Sequence, residues 1–184
     1  MNMLLKYGKT TAFFAGALSH FGFAPSYIFP AAIIGFSALF FLLLNAKSGK
    51  KAFGLGYCFG FAHFAFGLSW IGNALLIEPD KFGWLYPFVL IACGGFFGLF
   101  YAFPALISYY ANKPWQKWLS FCAATIIFEW IRSFIFTGFP WNLSGYMLAF
   151  SNNLIQAASL GGTYLLSLAV VSCCSIGGLW FNAV

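Results

Sequence analysis

Charged residues divide the chain into long uncharged runs at 10–46, 52–77, 82–112 and 133–184. About 20 helical residues span the hydrocarbon core, so an uncharged apolar run of about 18 or more is a candidate crossing. The first and last runs exceed one crossing and divide at turn-forming residues. The predicted helices then lie at about 4–23, 30–44, 52–76, 85–110, 118–136 and 154–180. The expected fold is all-α, a polytopic transmembrane bundle of about six helices in one domain covering 1–184.

The breaks have local causes. From Ala24 to Pro30 each proline lacks an N–H and restricts the residue before it, which ends the first helix. The third helix carries Gly54, Gly56, Gly60 and Gly67, which let neighbouring helices approach closely. The segment 137–153 is uncharged, yet Gly138, Pro140, Asn142, Gly145 and Asn152–Asn153 argue against a helix. It reads either as an interfacial loop with Trp141 and Tyr146 at headgroup level, the favoured alternative, or as a re-entrant segment shielded by protein.

The small basic clusters orient the bundle. A basic start before an apolar stretch can be a signal peptide, but more hydrophobic sequence follows here. The stretch is therefore read as a first crossing, with Lys6 and Lys9 reaching back to the interface. With the N-terminus cytoplasmic, seven of the nine Lys and Arg residues fall on the cytoplasmic side, as the positive-inside rule requires. Six crossings bring the C-terminus back to the same side. The expected location is a membrane that the chain crosses several times.

Composition agrees with this pattern. Hydrophobic residues make up 62% and charged residues 7%, against about 45–50% and about 25% in soluble domains. So few charges could not cover a water-facing surface. The net charge of +6 is spread over short loops rather than gathered on one face, which argues against nucleic acid. The cysteines at 58, 93, 122, 173 and 174 all lie in apolar runs and read as small buried hydrophobes. No Cys/His spacing suggests a metal, and no glycine-rich fingerprint suggests a cofactor.

Glu129 and Arg132 are the most informative polar pair. Three residues apart, they share a helix face toward the outer end of the fifth helix. The plainer reading is an ion pair that fixes helix packing or a loop; the sharper one is a polar site at the outer leaflet. One acid and one guanidinium do not make an acid–base catalyst without another partner. Trp141 reads as an interfacial anchor. His20 and His63 read as interhelical hydrogen-bonding residues, and the neighbours Ser19 and His20 lack the geometry of a nucleophile and its base.

The order of these motifs resembles the N-terminal membrane domain of bacterial apolipoprotein N-acyltransferases. The landmarks are Phe23-Ala24-Pro25 with Pro30-Ala31-Ala32, then Gly60-Phe61 and Gly67-Leu68-Ser69-Trp70. Phe128-Glu129-Trp130-Ile131-Arg132, Thr137-Gly138-Phe139-Pro140-Trp141 and Gly145-Tyr146 complete them, the first two of these three together being the most specific. The resemblance implies transfer of an acyl chain from a phospholipid donor to the N-terminal cysteine amine of a diacylated lipoprotein. It places the catalytic Glu, Lys and Cys in an outer nitrilase-like domain that this sequence does not contain. No catalytic residue is therefore expected here, and a separate chain carrying that domain is an expected partner, with membrane lipids. Glu129, Arg132 and Trp141 match the outer-leaflet motif, which implies a role in positioning lipid or docking the outer domain. A small transporter or lipid-binding scaffold using Glu129 and Arg132 is the alternative from another class, and a decayed gene product a third reading.

Overall fold

The computed structural model describes residues 2–135 and 138–183, and all regular structure among them is helical. A short turn at Asn2–Lys6 leads into α1 (Gly8–His20), followed by α2 (Phe29–Leu44) and α3 (Gly49–Gly67). A 3-10 stretch, Ser69–Leu76, and a turn at Pro79–Phe82 connect α3 to α4 (Tyr86–Phe97) and α5 (Leu99–Tyr109). Then come α6 (Pro114–Arg132), a 3-10 turn at Ser144–Leu148, a short turn at Asn152–Ile155, α7 (Ala158–Ser175) and α8 (Gly177–Ala183).

Local chemistry sets several of these ends. Ser48 caps α3 by accepting the Lys51 N–H at 3.2 Å. Pro114 occupies the first turn of α6, where its missing N–H has no intrahelical partner to lose. The Lys113 N–H just before it donates to the Gln116 side chain at 3.1 Å.

The observed helices depart from the predicted ones in definite places. The predicted 52–76 helix stops being α-helical at Gly67, and Ser69–Leu76 continues at 41° to it. Leu68 leaves helical backbone angles at that point, and Gly72 lets the Tyr86 ring approach to a distance that a Cβ would block. The predicted 118–136 helix runs from Pro114 to Arg132, and residue 136 lies outside the described residues. In the predicted 154–180 helix, Gly161 and Gly162 break the helical backbone, with Gly162 at φ +72°.

Pro79–Tyr109 and Ala158–Trp180 are long and apolar enough to cross a membrane, and the bent pair Gly49–Gly67 with Ser69–Leu76 makes a third if it is one span. The outer surface suits lipid: Ile77, Leu160 and Trp180 are each about 80% exposed. Phe36, Phe40, Phe59, Phe64 and Phe121 are fully enclosed between the helices.

Small residues set how closely the helices pack. A Cβ on Gly16 would collide with the Phe59 carbonyl, so α1 lies backbone-to-backbone on α3. Gly56 does the same for α3 against the Tyr101 carbonyl of α5. Gly54, by contrast, faces only the flexible end of Lys9, at 3.3 Å. Gly56→Val is expected to destabilise the bundle by about 3 kcal/mol, the upper part of the usual overpacking range. Gly54→Ala should be neutral or stabilise by up to about 1 kcal/mol through helix propensity. Thermal unfolding in detergent, followed by circular dichroism, checks both.

Candidate functional site

The last turn of α6 carries Glu129 and Arg132, and both are buried, at 5% and 1% exposure. The chain leaves the helix at Ser133, whose N–H is held by the carbonyls of Glu129 and Trp130. Gly138 has φ +87°, a conformation that glycine adopts without strain, and a Cβ there would strike the Ser133 carbonyl. The turn brings Phe139 back so that its N–H donates to the Arg132 carbonyl at 2.9 Å.

That return path places the segment's backbone against the two charges. The Arg132 Nη1 donates to the carbonyls of Phe139, at 3.2 Å, and Trp141, while Nη2 donates to the Asn142 carbonyl at 3.4 Å. A planar guanidinium with five N–H donors can serve several acceptors at once, which an ammonium cannot do in the same geometry. Glu129 Oε1 accepts the Ser144 N–H at 2.9 Å and the Ser144 hydroxyl at 2.7 Å. The two side chains therefore hold opposite ends of 139–144. No ion pair forms between them; Glu78–Lys81, exposed and 2.6 Å apart, is the ion pair among the described residues.

Aromatic rings complete the setting. The guanidinium carbon lies 5.0 Å from the centre of Phe64 and 5.9 Å from Phe97. Phe97 stacks in turn on Phe139 at 4.8 Å. Arg132 is thereby packed between α3, α4 and the segment whose carbonyls it binds.

The middle of 137–153 sinks into the bundle. Leu143, Ser144, Gly145 and Met147 are buried, the Gly145 N–H donates to the Ser167 hydroxyl of α7 at 2.9 Å, and Tyr101 of α5 reaches Ser144 at 3.5 Å. This gives the protein shielding that a re-entrant backbone needs. Trp141 and Tyr146 keep exposed faces, as an interfacial segment would. Thr137, the first residue of its motif, lies outside the described residues.

The structure thus gathers Glu129, Arg132 and Trp141 at one place, although Trp141 meets Arg132 through its carbonyl rather than its indole. Its ring packs edge-on against Trp70, 5.4 Å away. Ser144, the partner of Glu129, carried no charge or spacing by which sequence could single it out. The same holds for Ser19 and His63, 44 positions apart, whose Oγ and Nδ1 are 2.7 Å apart. The Ser19 hydroxyl donates to the Gly16 carbonyl at 2.7 Å, so His63 Nδ1 is the donor to Ser19. Both are 0% exposed, so the pair joins α1 to α3 rather than serving as an accessible nucleophile and base. Among the described residues no group of His, Cys, Asp and Glu is placed to hold a metal.

Arg132→Ala is expected to destabilise the chain by about 3 kcal/mol, since each charge-assisted hydrogen bond contributes about 1.5–3 kcal/mol. Arg132→Lys should recover only part of this, and Glu129→Gln should be milder than Glu129→Ala because the amide oxygen still accepts. Protease nicking within 138–150 and the thermal midpoint in detergent both report the effect; an unchanged midpoint for Arg132→Ala would contradict the clamp.

Comparison with known proteins converges on one family. The sequence model described as "Apolipoprotein N-acyltransferase N-terminal domain" matches residues 15–176. The apolipoprotein N-acyltransferase of Rickettsia typhi is 37% identical over 163 residues, 89% of this chain and 33% of that protein. That of Rickettsia bellii is 36% identical over 163 residues, 89% and 32% of the two chains. That of Agrobacterium fabrum is 37% identical over 172 residues, 86% and 31% of the two chains. The chain spans about a third of the length of the curated relatives it matches.

Proposed function

The chain belongs to the apolipoprotein N-acyltransferase N-terminal domain family, and from that premise we propose that it is the membrane-embedded part of such an acyltransferase. The reaction moves an acyl chain from a phospholipid to the N-terminal cysteine amine of a diacylated lipoprotein, completing lipoprotein maturation. By the family resemblance the catalytic groups belong to a part of the relatives' length that residues 1–184 do not match, and residues 1–184 supply the scaffold for that chemistry. A nitrilase-like domain supplied in continuity or by a separate chain completes it.

In this reading six crossings lie in a bacterial inner membrane with both ends cytoplasmic. Support comes from the basic loops, seven of nine Lys and Arg residues on one side, and from the apolar exposed surface. Glu129, Arg132 and Trp141 then stand toward the outer leaflet, where the acyl donor and the outer domain meet the bundle. One observation carries their role: buried Glu129 and Arg132 are each bonded to the backbone of 139–144, so they fix the shape of an otherwise irregular segment. They are positioning residues, and Trp141 is the part of that segment presented outward.

The test is acylation itself. Expressed alone in a strain depleted of apolipoprotein N-acyltransferase, the chain should leave lipoprotein N-termini diacylated by mass spectrometry. Supplied with the remaining length of a relative, it should restore triacylation. Triacylation by the chain alone would overturn the placement of the chemistry elsewhere.

A further inference from the structure

Beside the clamped segment lies a cavity of about 330 Å³ bounded by Tyr27, Trp70, Trp141 and Tyr146, with His20 and Asn142 among its lining. It draws on three parts of the chain: the turn after α1, the bend after α3, and the 138–149 segment. Two of its residues are conformationally unusual. Tyr27, at φ 48°, and Asn142, at φ 52°, are the non-glycine residues with positive φ among the described residues, and both face this one cavity. Asparagine tolerates that region and a bulky tyrosine does not readily, so the fold holds an unfavourable backbone where it shapes this wall.

The polar atoms here are uncharged. His20 Nδ1 is buried without a hydrogen-bond partner. Gly67 lies between it and the Asn142 amide: a Cβ on Gly67 would collide with Asn142 Nδ2 and sit 3.5 Å from His20 Nδ1. Among the described residues no Lys, Arg, Asp or Glu lines the cavity. A charged headgroup would therefore meet no opposite charge, whereas the plain hydrocarbon of an acyl tail would leave the His20 nitrogen unsatisfied. The larger groove of about 560 Å³ beside Leu4, Ile33, Ile34 and Phe41 differs, because its one hydroxyl, Ser37, already donates to the Cys174 carbonyl at 2.7 Å. That groove suits a lipid tail; the smaller cavity offers hydrogen bonds as well as aromatic walls.

We propose that the cavity between Trp70 and Trp141 binds the glycerol-ester region of a diacylglyceryl lipid, with His20 and Asn142 meeting its uncharged oxygens and the aromatic rings flanking the start of its chains. The Asn142 amide donates to an ester carbonyl. His20 Nδ1, which no protein group satisfies, donates to a second ester oxygen once the ring turns toward the cavity. The site deepens the function proposed above and rests on its outer-leaflet placement. A phospholipid and a diacylated lipoprotein carry the same diacylglyceryl chemistry, and both are candidate sources.

The experiment uses the whole chain in nanodiscs of phosphatidylethanolamine and phosphatidylglycerol, doped with a phospholipid bearing a diazirine beside its ester. After irradiation, mass spectrometry should find adducts enriched at Tyr27, Trp70, Trp141 and Tyr146 over the exposed control residues Leu160 and Trp180. His20→Leu and Gly67→Ala should each lower the rim adducts by about fivefold, the scale of one neutral hydrogen bond. Labelling of Leu160 and Trp180, together with circular dichroism, identifies a variant that has failed to fold; His20→Leu, which adds no atoms against backbone, keeps the test decisive if Gly67→Ala does so. Competition by excess phospholipid or by a diacylglyceryl-cysteine peptide supports the site, and the stronger competitor names the source. Rim labelling no higher than at Trp180, labelling unchanged in folded His20→Leu, or competition by chain-free glycerophosphoethanolamine would each overturn it. Acylation in the depleted strain is read separately, so the site can fail while the proposed function stands.

Discussion

Two charges buried at the end of α6 must find partners, and the local structure is organised around that requirement. An ionised side chain removed from water is tolerated only when neighbouring groups replace its hydration. Here those groups are backbone atoms of 139–144, which themselves need partners once buried. Arg132 lacks acceptors without the carbonyls of Phe139, Trp141 and Asn142, and those carbonyls lose a donor without Arg132. The same reciprocity ties Glu129 to Ser144. Each side meets much of the other's desolvation, although Glu129 Oε2 and Arg132 Nε stay buried without a hydrogen-bond partner, and this reciprocity makes an irregular, uncharged segment compatible with a place inside a helical bundle.

The clamp depends in turn on how closely the helices pack. Phe64 on α3 and Phe97 on α4 flank the guanidinium, so the approach of α3 to its neighbours sets the walls of its site. That approach relies on glycines such as Gly56, where backbone meets side-chain-free surface. Gly138 supplies the left-handed turn that returns the chain to Arg132. A chain of causes therefore runs from small residues between the packed apolar helices to the shape of the segment carrying Trp141.

Much of this was legible in the sequence because hydropathy reports solvent. Phe29–Leu44 lies within the uncharged stretch 10–46, and Tyr86–Phe97 with Leu99–Tyr109 within 82–112. Glu129, Arg132 and Trp141 stood out because charge is rare in so apolar a chain and because the motif order was recognisable. Their geometry was less accessible. Spacing of three suggested that Glu129 and Arg132 pair with each other, yet the turn at Gly138 brings backbone carbonyls within closer reach. Ser144, Ser19 and His63 were invisible as partners, since hydropathy marks which stretches enter an apolar medium but not which neighbours they meet there. The bend at Leu68 escaped for the same reason: no proline or charge marks it, and the stretch beyond it meets the Tyr86 ring at Gly72.

Amide hydrogen exchange of the chain in lipid nanodiscs addresses the clamp most directly. The Ser144 N–H, bonded to Glu129, and the Gly145 N–H, bonded to Ser167, should exchange far more slowly than amides of the exposed turn at 78–81. Glu129→Ala should release Ser144 while leaving the amides of α2 protected. Exchange at Ser144 as fast as in the 78–81 turn, in the unmodified chain, would contradict the account.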